Sequence, residues 1–288
     1  MKVLSLFDGI SCGMVALERA GIPVERYVAY EIEPNAIKIS QKNYPQIEHC
    51  GDVTTADFAQ YQDFDLLIGG SPCQSLSIIQ AHKRTNLDGK SKLFFEFVRA
   101  MEEMHPRYFF FENVASMNEE SKQVISELLG CKPVLINSNC FVAQDRPRYY
   151  WTNIPLSVDK LSEGNACIRD IMQANVPEKY FYNYPLEGMD MNRKVCAHMV
   201  HNNLEMHRRV FNPDHKVGCL TAVCGGNQQR KVLDGDRARK LTPVEYERLQ
   251  GLPDEYTAGV CDGQRYKAIG NGWTVDVIAH IFTSLKNT

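Results

Sequence analysis

From residue 2 to about residue 153, short apolar runs alternate with stretches in which apolar residues recur at helical spacing, the pattern of a parallel sheet with helices over both faces. The runs predict strands near 2–6, 26–31, 64–69, 107–112, 133–137 and 148–153, and the spacing predicts helices near 12–20, 34–43, 92–104 and 119–129. The expected fold class is α/β, a doubly wound Rossmann-like domain. After Pro155 the pattern gives way to Asn-, Pro-, His- and Gly-rich sequence, as in Asn183-Tyr184-Pro185 and Gly225-Gly226-Asn227, which predicts a small loop-rich subdomain over about 156–236. Helix returns at Thr242-Pro243-Val244-Glu245, where Thr can cap and Pro suits the first helical position. A last helix over roughly 273–285 is expected to pack back on the sheet. Residues 1–155 together with 237–288 are thus expected to form one domain and 156–236 another.

A chain of 288 residues that is 44% hydrophobic can bury a substantial core. No apolar stretch approaches the roughly 20 residues needed to span a bilayer, and the opening apolar run meets Asp8 too soon for a signal peptide, so no membrane partner and a cytoplasmic location are expected. The ten cysteines contain no C-x-x-C pair, and the closest two, Cys219 and Cys224, lack a matching second pair, so no metal is expected. The formal charge of -3 argues against a protein that coats nucleic acid. The segment from Met191 to Lys240 nevertheless carries ten Lys/Arg against four Asp/Glu and could face phosphates or simply be a solvated basic surface.

Three polar clusters follow or precede apolar runs. Pro72-Cys73-Gln74 leaves the run ending at Gly70, Glu112-Asn113-Val114 follows Phe109-Phe110-Phe111, and Gln144-Asp145-Arg146-Pro147-Arg148 precedes Tyr149-Tyr150-Trp151. A thiol, a carboxyl and a guanidinium could therefore meet at one edge of one sheet, with Cys73 a candidate nucleophile and the other cysteines small buried hydrophobes. The turn Phe7-Asp8-Gly9-Ile10-Ser11-Cys12-Gly13 joins the first strand to the first helix, where glycines let a ligand approach backbone amides. Its spacing is not G-x-G-x-x-G, which counts against a nicotinamide oxidoreductase. Glu31 ends the second strand, where a carboxylate commonly holds ribose hydroxyls, and Asp52 in Gly51-Asp52-Val53 is placed to meet an adenine. Each acid alone could be a helix cap; the three ordered sites favour a nucleoside-containing cofactor.

Together these segments, with Gly270-Asn271-Gly272, carry a resemblance over nearly the whole chain to the DNA (cytosine-5) methyltransferases. Cys73-Gln74-Ser75-Leu76-Ser77-Ile78, Leu93-Phe94-Phe95-Glu96-Phe97 and Gly272-Trp273 are most similar to the subgroup of animal de novo methyltransferases and phage or bacterial relatives. The resemblance implies an S-adenosylmethionine-dependent methyltransferase domain with a target recognition domain over 156–236. It implies that Phe7, Asp8, Gly9, Ile10, Ser11, Gly13, Glu31, Ile32, Asp52, Val53, Pro72, Leu93, Asn271, Gly272 and Trp273 hold the cofactor. Carbon 5 of cytosine is too poor a nucleophile to take a methyl group directly, so a Cys73 thiolate is expected to add to carbon 6 first. Glu112 is expected at ring nitrogen 3 and Arg146 at the exocyclic oxygen, with Asn113, Arg148 and Gln144 in support.

The target base must leave the duplex to be reached. Ser75, Ile78, Lys83 and Arg84 are expected on a loop over the double-stranded DNA, and Arg208, Arg209, Thr221, Gln228 and Arg230 in the recognition region, beside Lys216, Gln229 and Lys231. The helix over 242–250 is expected to organise that region. A cognate restriction endonuclease is a candidate partner, and the expected setting is a bacterial or phage-infected cell. Two rivals stay open: an RNA cytosine-5 methyltransferase, whose Cys-Phe-Thr signature is matched here only by Cys140-Phe141-Val142, and a non-catalytic regulatory partner of the same fold.

Overall fold

The computed structural model describes residues 1–71, 92–156, 158, 161–201, 203–225 and 227–287, which fall into two compact units. The first comprises Met1–Ile136, Pro147–Asp159 and Ile278–Thr288, and the second Asn137–Arg146 and Lys160–Val277. Residues 237–277 thus group by compactness with the segment that precedes them. Pro72, Cys73, Ser75, Ile78, Lys83 and Arg84 lie outside the described residues.

The first unit is built on a seven-stranded sheet. Its strands are β1 (Lys2–Leu6), β2 (Arg26–Tyr30), β3 (Glu48–His49), β4 (Leu66–Gly69), β5 (Tyr108–Val114), β6 (Val134–Asn137) and, after the short β7 (Gln144–Asp145) of the second unit, β8 (Pro147–Thr152). Their order is β3-β2-β1-β4-β5-β8-β6. From β3 to β5 every pairing is parallel. The helices α1 (Cys12–Arg19), α2 (Pro34–Asn43), α3 (Lys92–Met104) and α4 (Glu119–Leu128) occupy the connections, where the sequence places them. Because the chain steps from β1 towards β3 and then returns to β4 and β5, right-handed crossovers place helices on opposite faces. The parallel pattern fails at β8, which runs antiparallel to β5.

Burial follows from this arrangement. Val3, Leu4, Leu6, Leu66, Leu67 and Ile68 are all buried, as expected for strands covered on both sides. The period-two alternation of β5 sends Phe111 towards Phe97 and Trp151, and Phe110 towards Tyr150 and Phe282. Phe282 ends α9 (Val275–Phe282), so the final helix does pack back on the sheet.

The second unit has more regular structure than its composition suggests. A five-stranded sheet runs in the order β14-β13-β11-β10-β9, built from β9 (Leu186–Glu187), β10 (Val195–Met199), β11 (Arg209–Phe211), β13 (Lys231–Asp234) and β14 (Arg237–Lys240). A separate ladder pairs β12 (Val217–Gly218) with β7. Helices α5 (Ile168–Ile171), α6 (Glu205–Arg208), α7 (Pro243–Leu249) and α8 (Asp262–Asn271) complete it.

The capping signal before α7 is realised in full. Thr242 accepts the Glu245 N–H, while the Glu245 carboxylate accepts the Thr242 N–H at 2.7 Å. The same carboxylate receives Arg239 through both terminal nitrogens at 2.7 and 2.8 Å, with both side chains fully buried. Removing one partner leaves an uncompensated buried charge. Glu245→Ala is therefore expected to destabilise the protein by about 3–5 kcal/mol in denaturant unfolding, and a loss below about 1 kcal/mol would show that water or Asp234 compensates Arg239.

Candidate active site

The order of the first sheet reverses direction at β1, between β2 and β4, and open α/β sheets bind ligands at the carboxyl ends of strands beside such a point. The loop leaving β1 is tightly built there. Phe7, Gly9 and Ser11 all adopt φ of 60°, a region glycine enters freely and other residues only when held. Asp8 supplies the hold. Its carboxylate accepts hydroxyls from Ser5 at 2.6 Å, Ser11 at 2.5 Å and Tyr27 at 2.7 Å, and its N–H donates to the Tyr30 carbonyl. The network continues from Ser11 to the Ser40 hydroxyl and on to His49 Nε2, and burial pushes the His49 pKa down.

Asp8 is a brace whose carboxylate is taken up by hydroxyls, and Ile10, Ser11 and Gly13 are buried within the protein. What the loop presents at its half-buried edge is Phe7 and Gly9, and a side chain built at Gly9 would meet nothing within 4 Å. Glu31 fixes this edge. One of its oxygens accepts the Gly9 N–H at 2.8 Å, and the other accepts the N–H groups of Ile32 and Glu33, each at 2.8 Å. Ile32 follows with 69% of its surface exposed, an unusual position for a large aliphatic side chain. Asp52 is exposed and caps a short turn by accepting the Thr54 N–H, while Val53 beneath it is buried. Leu93 is half-buried at the start of α3.

At the ends of β4 and β5 a second group assembles. Asn113 is buried, and its side-chain nitrogen donates to the Ser71 carbonyl at 3.3 Å while its oxygen accepts the Val114 N–H. Asn113 therefore anchors the last described residue before Pro72 and Cys73. Glu112 faces Tyr150 across the antiparallel pair, which puts Arg148 in the diagonal position on the same face, within reach of a long side chain. Arg148 Nε lies 2.9 Å from Glu112 Oε1 in a pair that is only 12% and 13% exposed.

Arg146 belongs to a different network. Its guanidinium donates to the carbonyls of Leu220 at 2.7 Å, Gly270 at 3.0 Å and Gly272 at 2.9 Å, all within the second unit. The expected role at the cytosine oxygen is corrected accordingly: Arg146 is saturated by backbone carbonyls, whereas Arg148 sits with the carboxylate. Gln144 joins the same framework, accepting the Leu220 N–H and donating to the Leu249 carbonyl and to Gln250. Gln250 is fully buried and ties the parts together through the carbonyls of Ile269 and Gly272 and the Thr274 hydroxyl. Gly270 permits the closest approach, because a Cβ there would lie 2.3 Å from the Thr221 carbonyl oxygen. Within this frame Asn271 and Thr221 are exposed and Trp273 is half-buried. Gln250 escaped the sequence analysis because it stands at a helix end with no pattern to mark it.

Among the described residues the expected DNA-facing cations are mostly committed elsewhere. Arg208 donates to the Met199 carbonyl and pairs with Glu187, and Arg209 grips Glu205 bidentately, holding that carboxyl down at about 2. Arg230 is drawn inward to the Cys219 carbonyl, which corrects its assignment as a base or phosphate contact. Gln228 is exposed. Among the described residues no group of acids, histidines and cysteines could hold a metal ion, and no helix is long and apolar enough to cross a membrane.

A seven-stranded sheet with its switch at β1 and an acid-fixed glycine turn at the strand ends place the first unit in the doubly wound, Rossmann-like class. Comparison with known proteins gives the family. The family profile described as C-5 cytosine-specific DNA methylase matches residues 1–215 and 201–287. The Type II methyltransferase M.NlaX of Neisseria lactamica is 30% identical over 99% of this chain and 96% of its own length. The orphan methyltransferase M.SPRI of Bacillus phage SPR is 33% identical over 100% of this chain and 98% of its own. The solved structure of the Entamoeba histolytica methyltransferase EhMeth shares the fold, with a TM-score of 0.78 at 19% identity over 100% of this chain and 98% of that one. The chain belongs to the C-5 cytosine-specific DNA methylase family and is a DNA (cytosine-5) methyltransferase.

Proposed function

We propose that the protein transfers a methyl group from S-adenosylmethionine to carbon 5 of a cytosine flipped out of duplex DNA, through a covalent adduct with Cys73. The observation that carries this is the Glu112–Arg148 pair at the end of β5, beside an Asn113 that anchors Ser71. Cys73 follows Ser71 by two residues along the chain. The thiolate adds to ring carbon 6 and places electron density on carbon 5. Glu112 is assigned to hold or share a proton at ring nitrogen 3 and Arg148 to offer a fixed cation to the exocyclic oxygen, which together would meet the charge developing in the ring. Once carbon 5 has taken the methyl group that S-adenosylmethionine would supply, its sulfur leaving as a neutral thioether, loss of the carbon 5 proton to water expels the Cys73 thiolate and restores the aromatic ring.

The edge presented by Gly9, Glu31 and Ile32 fits the cofactor. Open space at Gly9 admits a ligand against the backbone, the Glu31 carboxylate suits ribose hydroxyls, and an exposed Ile32 gives an apolar surface for adenine. Asp52 is assigned to the same cofactor. When bound, S-adenosylmethionine supplies an electrophilic methyl group. Glu31→Ala is expected to weaken its binding roughly 10- to 100-fold in a calorimetric titration, the scale of a lost hydrogen bond to a charged group. Unchanged affinity would make Glu31 a backbone brace alone.

In this reading residues 1–155 and 237–288 carry catalysis and 156–236 reads the DNA. The relatives from Neisseria lactamica and a Bacillus phage support a cytoplasmic role in a bacterium or an infected cell, with a cognate restriction endonuclease as a candidate partner. The direct test is transfer of labelled methyl groups to unmethylated duplex DNA.

A further inference from the structure

Among the described residues, most polar side chains expected to read DNA are engaged by the protein itself. Lys216 is buried and donates to the carbonyls of Gly164 at 2.5 Å and Ala166 at 2.7 Å. Arg208, Arg209 and Arg230 hold the partners described above, and Gln229 and Lys231 are buried. Gln228 differs from all of these, being exposed and without a side-chain partner among the described residues.

Its backbone is held at both flanks. The Gln228 N–H donates to the Gly225 carbonyl at 3.4 Å, and Asn227 before it takes a φ of 59°. Lys231, 1% exposed on β13, donates its ammonium to the carbonyls of Asn227 at 2.6 Å and Gln229 at 2.9 Å, one on each side of Gln228. Burial lowers the Lys231 pKa to about 8, so this brace keeps a cation where water cannot solvate it. Arg230 adds a further anchor, its N–H donating to the Tyr246 hydroxyl at 2.7 Å. A backbone fixed at both flanks spares the ordering cost of the loop on binding, so only the side-chain rotamers of the glutamine remain to be fixed.

The chemistry of a primary amide selects the ligand. It offers one acceptor and one donor side by side, the complement of adenine N6 and N7 in the major groove. We propose that Gln228 reads an A·T pair in the recognition sequence of this methyltransferase, and that Lys231 is the positioning residue that presents it. The proposal rests on the reading of 156–236 as the DNA-recognition region.

The test is bisulfite sequencing of DNA carrying a randomised context, methylated in vitro by the wild-type chain and by Q228A, Q228R and K231M. The wild type is expected to require A·T at one fixed offset from the methylated cytosine. Q228A should lower discrimination at that offset alone by roughly 5- to 100-fold, the range for one bidentate contact. Q228R should shift the preference towards G·C, and K231M should relax the same offset with a raised KM. If K231M does not fold, Q228A and Q228R decide the matter. A wild-type context without a fixed A·T pair, or a Q228A context identical to the wild type, overturns the proposal while leaving the methyltransferase reading intact. A wild-type chain that methylates no DNA removes the reading beneath it.

Discussion

Cys73→Ser is expected to abolish methyl transfer, with single-turnover rates falling on the order of 10⁴-fold or more, while S-adenosylmethionine and DNA still bind. A serine hydroxyl is a far weaker nucleophile than a thiolate at neutral pH, and carbon 5 cannot act until carbon 6 has been attacked. The groups proposed to stabilise the ring, Glu112 and Arg148, are unaltered in this variant, so its binding isotherms should match the wild type. Substantial transfer by the serine enzyme would show that the nucleophile is another group. A parallel loss of cofactor binding would instead assign Cys73 to the architecture of the site.

The second large effect separates two arginines that look equivalent in the sequence. Arg148→Met is expected to lower kcat by roughly 10²- to 10³-fold, the scale for removing one preorganised donor, with a smaller loss of stability than Arg146→Met because water reaches the partly exposed Glu112 left behind. Arg146→Met should do the reverse. It strips donors from the carbonyls of Leu220, Gly270 and Gly272, and each buried carbonyl left unpaired costs about 1–3 kcal/mol. A stable Arg146→Met protein with a purely catalytic defect would restore the ring-oxygen role to Arg146. The two residues are separated by one proline, yet they belong to different compact units.

The sheet of the first unit was legible because its strands carry long apolar runs buried on both faces, and its helices carry clear amphipathic spacing. The antiparallel β8 was not, since Tyr149-Tyr150-Trp151 looks the same in either direction and only its pairing with β5 distinguishes them. In the second unit the strands are two to five residues long, too short for alternation to register, so a five-stranded sheet read as loops. Helix α8 was missed for a related reason: Gly263 and Gly270 lower its helical signal, yet they allow the backbone of the 221–224 segment to pack directly against it. Of the candidate site, the motifs located Glu31, Glu112 and Asn113 at strand ends. They could not reveal that Asp8 faces three hydroxyls or that Arg230 turns inward, because a hydrogen-bond partner distant in sequence leaves no periodic trace.

The central claim is DNA cytosine-5 methylation by this chain. The most direct measurement is transfer from labelled S-adenosylmethionine to unmethylated duplex DNA and, in parallel, to transfer RNA, with bisulfite sequencing of the DNA product. The expected result is label in DNA and protected cytosines that share one sequence context. Label in RNA alone, or cofactor binding with no label in either nucleic acid, would contradict it.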